Sequence, residues 1–394
     1  MEQYVYLSII FFSLIIFFLY IYIVFEKLIE TYDGRRKQKY SKKLVPYIDF
    51  IVDEIINRKD VGFYTLKNLK VICKNKDRRE IAEERLLYYF ENCKSEYLPR
   101  LTYLCEYSKI IKYEIKNLKN KNNFKKALAA KRLGEFRSKK SVYRLLNQLK
   151  IADSDVQYNI LLALAKIGKE NSFIRAFKNI NSTLILSERS LIEIVDSFEG
   201  DKNRIYKYMI NFENSLIACV FIKSAGNYKD ISLSQDISKY LFSENKELRI
   251  AAVKAIGNIV DETYLDDIIK LLEDIEWEVR AVTANALGNF AHDKILSPLA
   301  KALSDPQWYV RFNAAKSILS HSKGMTVVSH VFKEEDKFAK DIIIAAIENS
   351  SNNQLYLYEN SNDPDKVALA LQIKQYILQK NKEGGIWIQQ LLHK

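Results

Sequence analysis

Residues able to do chemistry are few in this chain, and they do not form a recognisable catalytic set. None of the four histidines lies in an HExxH zinc motif or in the HxE and PCxxC pair of zinc deaminases. The four cysteines have irregular spacing, which fits a reducing compartment better than a disulfide framework or a metal site. A Gly-rich phosphate loop and a GxSxG elbow are also missing. The sequence therefore predicts no catalytic residue, no metal ligand and no cofactor, and a protein that is not an enzyme.

Charged residues recur at a fixed interval instead. Arg249, Arg280 and Arg311 are 31 residues apart, and Asp274 and Asp305 each precede one of these arginines by six residues. Guanidinium and carboxylate groups that return once per repeat can form ion pairs between successive repeats. We expect such a structural ladder. The alternative interpretation is a row of exposed cations that binds an acidic partner.

The segments that carry these arginines share one helical pattern. They read LRIAAVKAIGNI (248–259), VRAVTANALGNF (279–290) and VRFNAAKSILSH (310–321). Apolar residues fall on one side of a helix, and small residues between them allow a neighbouring helix to approach closely. A second amphipathic helix is predicted ahead of the later two copies, over 264–273 and 295–303. A period of this length predicts stacked helical hairpins rather than one globular core.

The same register extends in both directions, by steps of 30 or 31 residues. The outer copies open at Lys125, Val156, Ser187, Ile217 and Asp341, with a degenerate copy near Val367. This gives about eight copies, which are clear from 248 to 321 and eroded elsewhere.

These residues resemble HEAT repeats, in particular the short bacterial type called PBS-lyase-like HEAT. The consensus D-x-x-x-x-V-R-x-x-A-x-x-A-L-G matches 274–288 and 305–319, apart from one additional residue before the Val-Arg pair. The resemblance is specific over 244–322 and moderate over 124–350. It implies an all-α fold, with an α-solenoid of about eight hairpins over 124–383 and a tail over 384–394. Residues 44–123 are predicted to be helical, either as divergent repeats or as a separate region.

The resemblance also implies where a partner binds. In HEAT proteins the second helix of each repeat lines the concave side. This places Lys254, Asn285 and Lys316 outward, with Asn258 and Asn289 close to them. A mixed polar groove of this kind suits recognition of a protein.

Two tryptophans occupy equivalent positions ahead of the Val-Arg pairs. Trp277 and Trp308 either cover the seam between adjacent repeats or anchor a partner, since Trp is enriched in binding hot spots. We expect packing, and keep partner binding as the alternative.

Residues 1–25 predict a membrane anchor. Residues 3–25 contain no charge, and at about 1.5 Å per residue they span about 34 Å, enough for a bilayer core. Tyrosines near both ends suit the two interfaces. A cleaved signal peptide is the alternative, but its basic n-region and small-residue cleavage site are missing.

The basic juxtamembrane segment, residues 26–43, predicts the orientation. Because Lys and Arg follow the apolar stretch and none precedes it, we expect a single-pass protein of the cell membrane with its N-terminus outside and its body in the cytoplasm. The basic residues either contact an anionic lipid surface or only fix topology, and the sequence leaves both open. They are Arg35, Arg36, Lys37, Lys39, Lys42 and Lys43.

Three functions remain in competition. The first is a membrane-anchored cytoplasmic HEAT scaffold that binds a protein, for example an inner-membrane enzyme complex such as a glycosyltransferase. The second is a nucleic-acid-binding HEAT-like protein. Residues 26–150 favour it, with 32 Lys and Arg against 16 Asp and Glu, but the near-neutral repeats and the anchor oppose it. The third is a lyase-type enzyme acting on a bound pigment or lipid, which the lack of an acid, base or metal cluster opposes.

Overall fold

The chain is helical throughout the part that the structure describes. The structure is a computed structural model and describes residues 2–57, 62–178, 186–349 and 359–392. These ranges contain 21 α-helices, several short 3-10 turns and no β-strand, so the predicted all-α fold is confirmed. The helices form two compact units. One comprises Met1–Leu186 and Ser197–Gly200, and the other comprises Ser187–Asp196 and Asp201–Lys394.

Nine helices build the first unit. They are α1 (Glu2–Ile56), α2 (Phe63–Ile72), α3 (Lys76–Asn92), α4 (Leu98–Tyr107), α5 (Ile110–Asn117), α6 (Asn123–Glu135), α7 (Val142–Leu149), α8 (Ser154–Ile167) and α9 (Glu170–Lys178). Helix α1 packs along α3, α5 packs on α6, and α6 packs on α8. Within 44–123, the described residues 44–57 and 62–123 are mainly helical.

Helix α1 joins the apolar N-terminal segment to the core of the first unit without a break. The predicted segment limits at 25 and 43 therefore fall inside a single helix. Beyond residue 43 its inward side carries Leu44, Ile48, Ile51 and Ile55, which recur at i, i+4, i+7 and i+11 and are buried. This spacing gives α1 one apolar stripe, and the stripe is covered by its helical neighbours.

Twelve helices build the second unit. They are α10 (Glu188–Asp196), α11 (Lys202–Met209), α12 (Ser215–Tyr228), α13 (Ser234–Ser238), α14 (Lys246–Ile259), α15 (Leu265–Lys270), α16 (Trp277–Leu287), α17 (Leu296–Ala302), α18 (Trp308–Ser320), α19 (Gly324–Lys333), α20 (Lys337–Glu348) and α21 (Pro364–Leu392). The even-numbered helices from α10 to α20 pack on one another in succession. Each odd-numbered helix from α11 to α19 packs on the helix that follows it, which completes a hairpin. Helix α21 runs through the predicted tail boundary at 384.

Close contact between successive even-numbered helices explains the glycine of the repeat. A Cβ added at Gly226 of α12 would lie 2.5 Å from the Ala255 Cα of α14. One repeat later, a Cβ at Gly257 would lie 2.7 Å from the Ala286 Cβ of α16. A side chain at either glycine would push the helices apart, because helix interiors are already close-packed.

Candidate partner-binding surface

An ion-pair ladder connects successive hairpins of the second unit. Arg249 donates from Nε and Nη2 to the Asp274 carboxylate at 2.8 and 2.9 Å, and from Nη1 to two backbone carbonyls just ahead of α14. Arg280 repeats this arrangement with the Asp305 carboxylate at 2.7 and 3.2 Å. The four side chains are at most 16% exposed. Each arginine is thus bound to the aspartate of the following repeat, and these two are not free to bind a partner.

The ladder ends at Arg311. Its Nη1 donates to the Asp305 carbonyl at 2.7 Å, while its buried Nε has no hydrogen-bond partner among the described residues. Asp336 stands 31 residues after Asp305, but its carboxylate accepts from the Ser304 hydroxyl at 2.7 Å and caps α20. The carboxylate that would continue the series is therefore engaged elsewhere.

Lys254, Asn285 and Lys316 lie exposed at matching positions of α14, α16 and α18. We call them the polar column. Within the described ranges none of the three side chains forms an ion pair or a hydrogen bond. Partial desolvation and the charge of Lys223, one repeat earlier, lower the pKa of Lys254. The column therefore presents two lysines and one asparagine, none of them in an ion pair within the described part of the chain, at one repeated position of the second unit.

The asparagines beside the column take part in stacking. The Asn289 side chain donates to the Gly257 carbonyl of the preceding repeat at 2.9 Å, and Asn258 is half-buried. At the equivalent position two repeats before Asn289, Asn227 donates to the Asp196 carboxylate at 3.1 Å. An amide bonded to the preceding repeat is less available to a partner, so Asn289 contributes mainly to the stack.

Trp277 and Trp308 belong to a group of four rings that we call the aromatic cluster. Trp277 stacks on Tyr309 with ring centroids 5.7 Å apart, and Trp308 stacks on Phe312 at 4.8 Å. Trp308 also meets the Tyr309 ring edge-on at 5.2 Å. Trp308 is 45% exposed and Tyr309 59% exposed, whereas Trp277 and Phe312 are half-buried. The cluster spans the seam between α16 and α18 while two of its rings stay open to solvent.

Sequence reasoning missed Tyr309 and Phe312. Together with Lys316 they stand at i, i+3 and i+7 of α18, which places all three on one side of the helix. Their counterparts in α16 are Glu278 and Ala281. A comparison at 31-residue spacing selects what recurs, and these two rings do not recur. The helical spacing from Lys316 is the feature of the sequence that could have identified these two rings.

Two of the six basic residues in the juxtamembrane segment face α3. Arg36 pairs with Asp77 at 2.8 Å, and Lys37 pairs with Glu80 at 2.7 Å. These ion pairs fasten α1 to the first unit, so the two side chains are already neutralised within the protein.

The other four basic residues carry no such pair among the described residues. Arg35, Lys39 and Lys42 are exposed at i, i+4 and i+7, along one side of α1. Lys43 lines a cavity on the side of α1 that faces α2. Only the first three form a continuous basic stripe.

A buried acidic pair lies in the core of the first unit. Glu83 of α3 and Glu114 of α5 are 1% and 2% exposed, and the Arg132 guanidinium contacts their carboxyl groups at 2.8 and 3.2 Å. Arg79 lies 3.6 Å from Glu83. Burial, together with the neighbouring Glu114 charge, raises the pKa of Glu83 to about 8. The Glu83 side chain is thus mainly protonated at neutral pH, and it shares Arg132 with the Glu114 carboxyl group.

Reactive side chains are not assembled elsewhere in the described residues. No group of three or more His, Cys, Asp or Glu side chains there is placed to hold a metal ion. Burial raises the pKa of the Cys73 thiol to about 12 and that of Cys219 to about 11, which keeps both thiols protonated and weakly nucleophilic. The His321 Nδ1 accepts the Lys323 N–H at 3.1 Å. His393 lies outside the described residues.

The chain was compared with family models, curated proteins and solved structures. The family models match the repeats, and the solved structures align with more of the chain at low sequence identity. No curated protein matches the chain in sequence. An engineered protein of known structure has 17% identity and a TM-score of 0.33, over 79% of this chain and 98% of that one. Kap121p has 16% identity and a TM-score of 0.41, over 80% of this chain and 38% of that one. The CpcE and CpcF complex of phycocyanin lyase from Nostoc sp. PCC7120 has 13% identity and a TM-score of 0.26, over 73% of this chain and 97% of that one.

Two family models match the sequence directly. The model of HEAT repeats matches residues 265–331, and the model of the PBS lyase HEAT-like repeat matches residues 248–274. Both lie on the hairpins from α14 to α19, whose ladder and close-packed glycines are described above. Residues 248–331 of the chain therefore carry HEAT repeats.

Proposed function

We propose that this chain is a membrane-anchored scaffold whose HEAT repeats bind a protein partner at the membrane surface. One observation carries the proposal: α1 leaves an uncharged apolar stretch uncovered at one end and packs into the first unit at its other end. A helix of this kind ties a folded body to a bilayer without a flexible linker. Tethering raises the effective concentration of the body toward a membrane-bound partner.

The apolar end of α1 supports insertion in lipid. Its most apolar 18-residue window has a mean hydropathy of 2.1, and no residue of that window is buried in the protein. A core helix of a soluble protein would instead have its apolar side covered. The basic stripe of Arg35, Lys39 and Lys42 follows this end, which favours a cytoplasmic body and an N-terminus outside.

The aromatic cluster and the polar column support a protein as the partner. Trp308 and Tyr309 offer exposed rings, and Lys316 lies about two helical turns farther along the same helix. Aromatic anchors surrounded by polar groups are typical of protein-binding hot spots. The partner surface that fits them combines an apolar group with a carboxylate. A membrane enzyme complex, for example a polysaccharide-synthesising glycosyltransferase, is the kind of partner that such a tether would hold.

Affinity capture with the full chain in mild detergent tests the proposal. The wild-type chain should enrich a discrete membrane protein, and the variant Trp308→Ala with Tyr309→Ala should lose most of it. Tyr143 is a 65% exposed residue of the first unit and is not a member of the cluster, so Tyr143→Ala serves as the matched control and should capture the partner normally. Equal capture by all three chains, or recovery of nucleic acid in place of a protein, would contradict the proposal.

Membrane insertion is tested separately. The full chain should stay in the membrane fraction after alkaline carbonate extraction. A cysteine placed at the exposed Lys67 of α2 should react with an impermeant maleimide only after the cells are opened. Extraction into the soluble fraction, or labelling of intact cells, would exclude the proposed anchor or its orientation.

A further inference from the structure

A cavity of about 510 Å³ lies in the first unit between α1, α2 and the start of α3. Its α1 wall carries Tyr40, Lys43, Leu44 and Tyr47, which stand at i, i+3, i+4 and i+7 on one side of the helix. The volume lies within the roughly 300–1,000 Å³ typical of small-molecule pockets.

The remaining lining residues are Asn68, Val71 and Ile72 of α2 and Arg78 of α3. Val71 is 57% exposed, and Arg78 stands at the beginning of α3 with its guanidinium 4.7 Å from the centre of the Tyr40 ring. The cavity thus combines aliphatic carbon, aromatic faces and basic groups.

The charge of the lining has one sign. Among the described residues, Lys43 and Arg78 are the only charged ones that line it, and none of the lining residues is a carboxylate. Neither cation has an ion-pair partner within the described ranges. Four other basic residues nearby on α1 and α3 are each paired with a carboxylate: Arg36, Lys37, Arg79 and Arg85. Arg35, Lys39 and Lys42 of α1 also have no ion pair there, but they do not line the cavity, whereas Lys43 and Arg78 are unpaired cations that do.

We propose that this cavity binds a small anionic amphiphile, with its apolar tail against Leu44, Val71 and Ile72 and its carboxylate or phosphate between Lys43 and Arg78. An anion there would supply the counter-charge that the protein omits, and a charge-assisted hydrogen bond to a guanidinium is about twice as strong as a neutral one. Aromatic and aliphatic walls would take the tail out of water.

The position of the cavity along α1 argues for a free molecule rather than a bilayer lipid held in place. With the span of the proposed function ending at Phe25, Tyr40 lies 15 residues farther on, which is about 22 Å of helix. The headgroup layer beyond the hydrocarbon core is only about 5–8 Å deep. The binding site itself does not depend on the anchor, so the two proposals can fail separately.

Fluorescence titration of the full chain in phosphatidylcholine nanodiscs tests the inference, with dansyl-labelled undecanoic acid as probe and empty nanodiscs as blank. We expect saturable binding of one probe per chain. Decanoate or decyl phosphate should displace it at least about tenfold better than decanol, because the neutral alcohol offers no charge to Lys43 and Arg78. The ratio of decanoate to decyl phosphate distinguishes a fatty acid from a phosphate ester as the natural class, and inorganic phosphate alone should displace little.

Charge variants complete the test. Lys43→Gln with Arg78→Gln should weaken probe binding about tenfold or more. Lys39→Gln with Lys42→Gln removes the same charge from α1 residues outside the cavity and should leave binding unchanged. Thermal unfolding followed by circular dichroism checks that both double variants fold. Val71→Trp fills the cavity without changing charge and should abolish binding. Decanol as potent as decanoate, equal binding by the two charge variants, or no saturable binding would overturn the proposal.

Discussion

The helices that carry the repeated arginines also carry the polar column. Two of these arginines contact the next repeat, whereas the residues of the column are exposed. Arg249 and Arg280 recur because each closes a contact with the next repeat. Lys254, Asn285 and Lys316 share a position but not an identity, and no stacking contact restrains them. Residues that recur are therefore explained by the fold, and residues that vary at one exposed position are where a binding function can be encoded.

Removal of a ladder carboxylate should destabilise the second unit strongly. Asp274→Ala leaves the Arg249 guanidinium nearly buried without its counter-charge, and the expected loss is about 3 kcal/mol of unfolding free energy. All three tryptophans belong to the second unit, so tryptophan fluorescence during urea unfolding measures this change. Asp267 forms an exposed pair with Lys270, and Asp267→Ala should cost less than about 1 kcal/mol. Equal losses in the two variants would show that the ladder adds nothing beyond a surface ion pair.

The buried acid of the first unit predicts a stability that falls with rising pH. The pKa of Glu83 is about 8 in the folded chain, against an ordinary value of 4.5. The folded state therefore binds more protons than the unfolded state between these values, and unfolding free energy declines as pH rises through them. One proton corresponds to about 1.4 kcal/mol per pH unit, so the expected loss is about 2 kcal/mol between about pH 6 and pH 8.

Hydrogen exchange of peptides from α3 and α5 at several pH values measures this slope in the first unit. Glu83→Gln keeps the size of the side chain and removes its titration, so the slope should flatten. Glu84 is the exposed neighbour of Glu83 on α3, and Glu84→Gln should leave the slope as it is. A slope that survives Glu83→Gln would assign the pH dependence to another group.

At the scale of helices, the glycine of the repeat should be less tolerant of substitution than its small side chain suggests. Gly226→Ala places a methyl group 2.5 Å from the Ala255 Cα, and relief of this overlap requires α12 and α14 to separate. We expect a loss of about 1–3 kcal/mol, as for other overpacked cores, measured by urea unfolding. Gly34 stands in α1 with no atom near its Cβ direction, and Gly34→Ala should be neutral or stabilising by up to about 1 kcal/mol. A stable Gly226→Ala chain would mean that the stack can widen freely.

The sequence predicted the positions of the helices better than the contacts between them. The copies expected to open at Val156 and Ile217 fall in α8 and α12 although the Val-Arg motif is eroded there, because apolar and small residues keep the spacing that packing requires. The length of α1 could not be read in the same way. Its charged middle looks like a boundary in sequence, whereas α1 continues through it in the structure, and Arg36 and Lys37 pair there with α3. Such pairs join residues about 40 positions apart, which local pattern does not encode.

At the scale of the whole chain, the proposed function separates a tether from a binding surface. In that proposal, the apolar end of α1 holds the chain at the membrane, and the aromatic cluster contacts the partner. If the span acts only as a tether, its sequence is interchangeable while its length and hydrophobicity are not.

Replacement of residues 3–25 by an unrelated uncharged apolar helix of equal length should therefore leave partner capture unchanged. The chain contains no GxxxG in this stretch, so no close glycine-mediated packing of the span is lost by the exchange. Carbonate extraction confirms that the exchanged chain remains in the membrane, and affinity capture in mild detergent measures the partner. Trp308→Ala with Tyr309→Ala in the same exchanged chain should still abolish capture, because the contact resides in the repeats. If the exchanged chain stays in the membrane but loses its partner, the span itself recognises a transmembrane helix of that partner, and the repeats act as a second contact rather than the first.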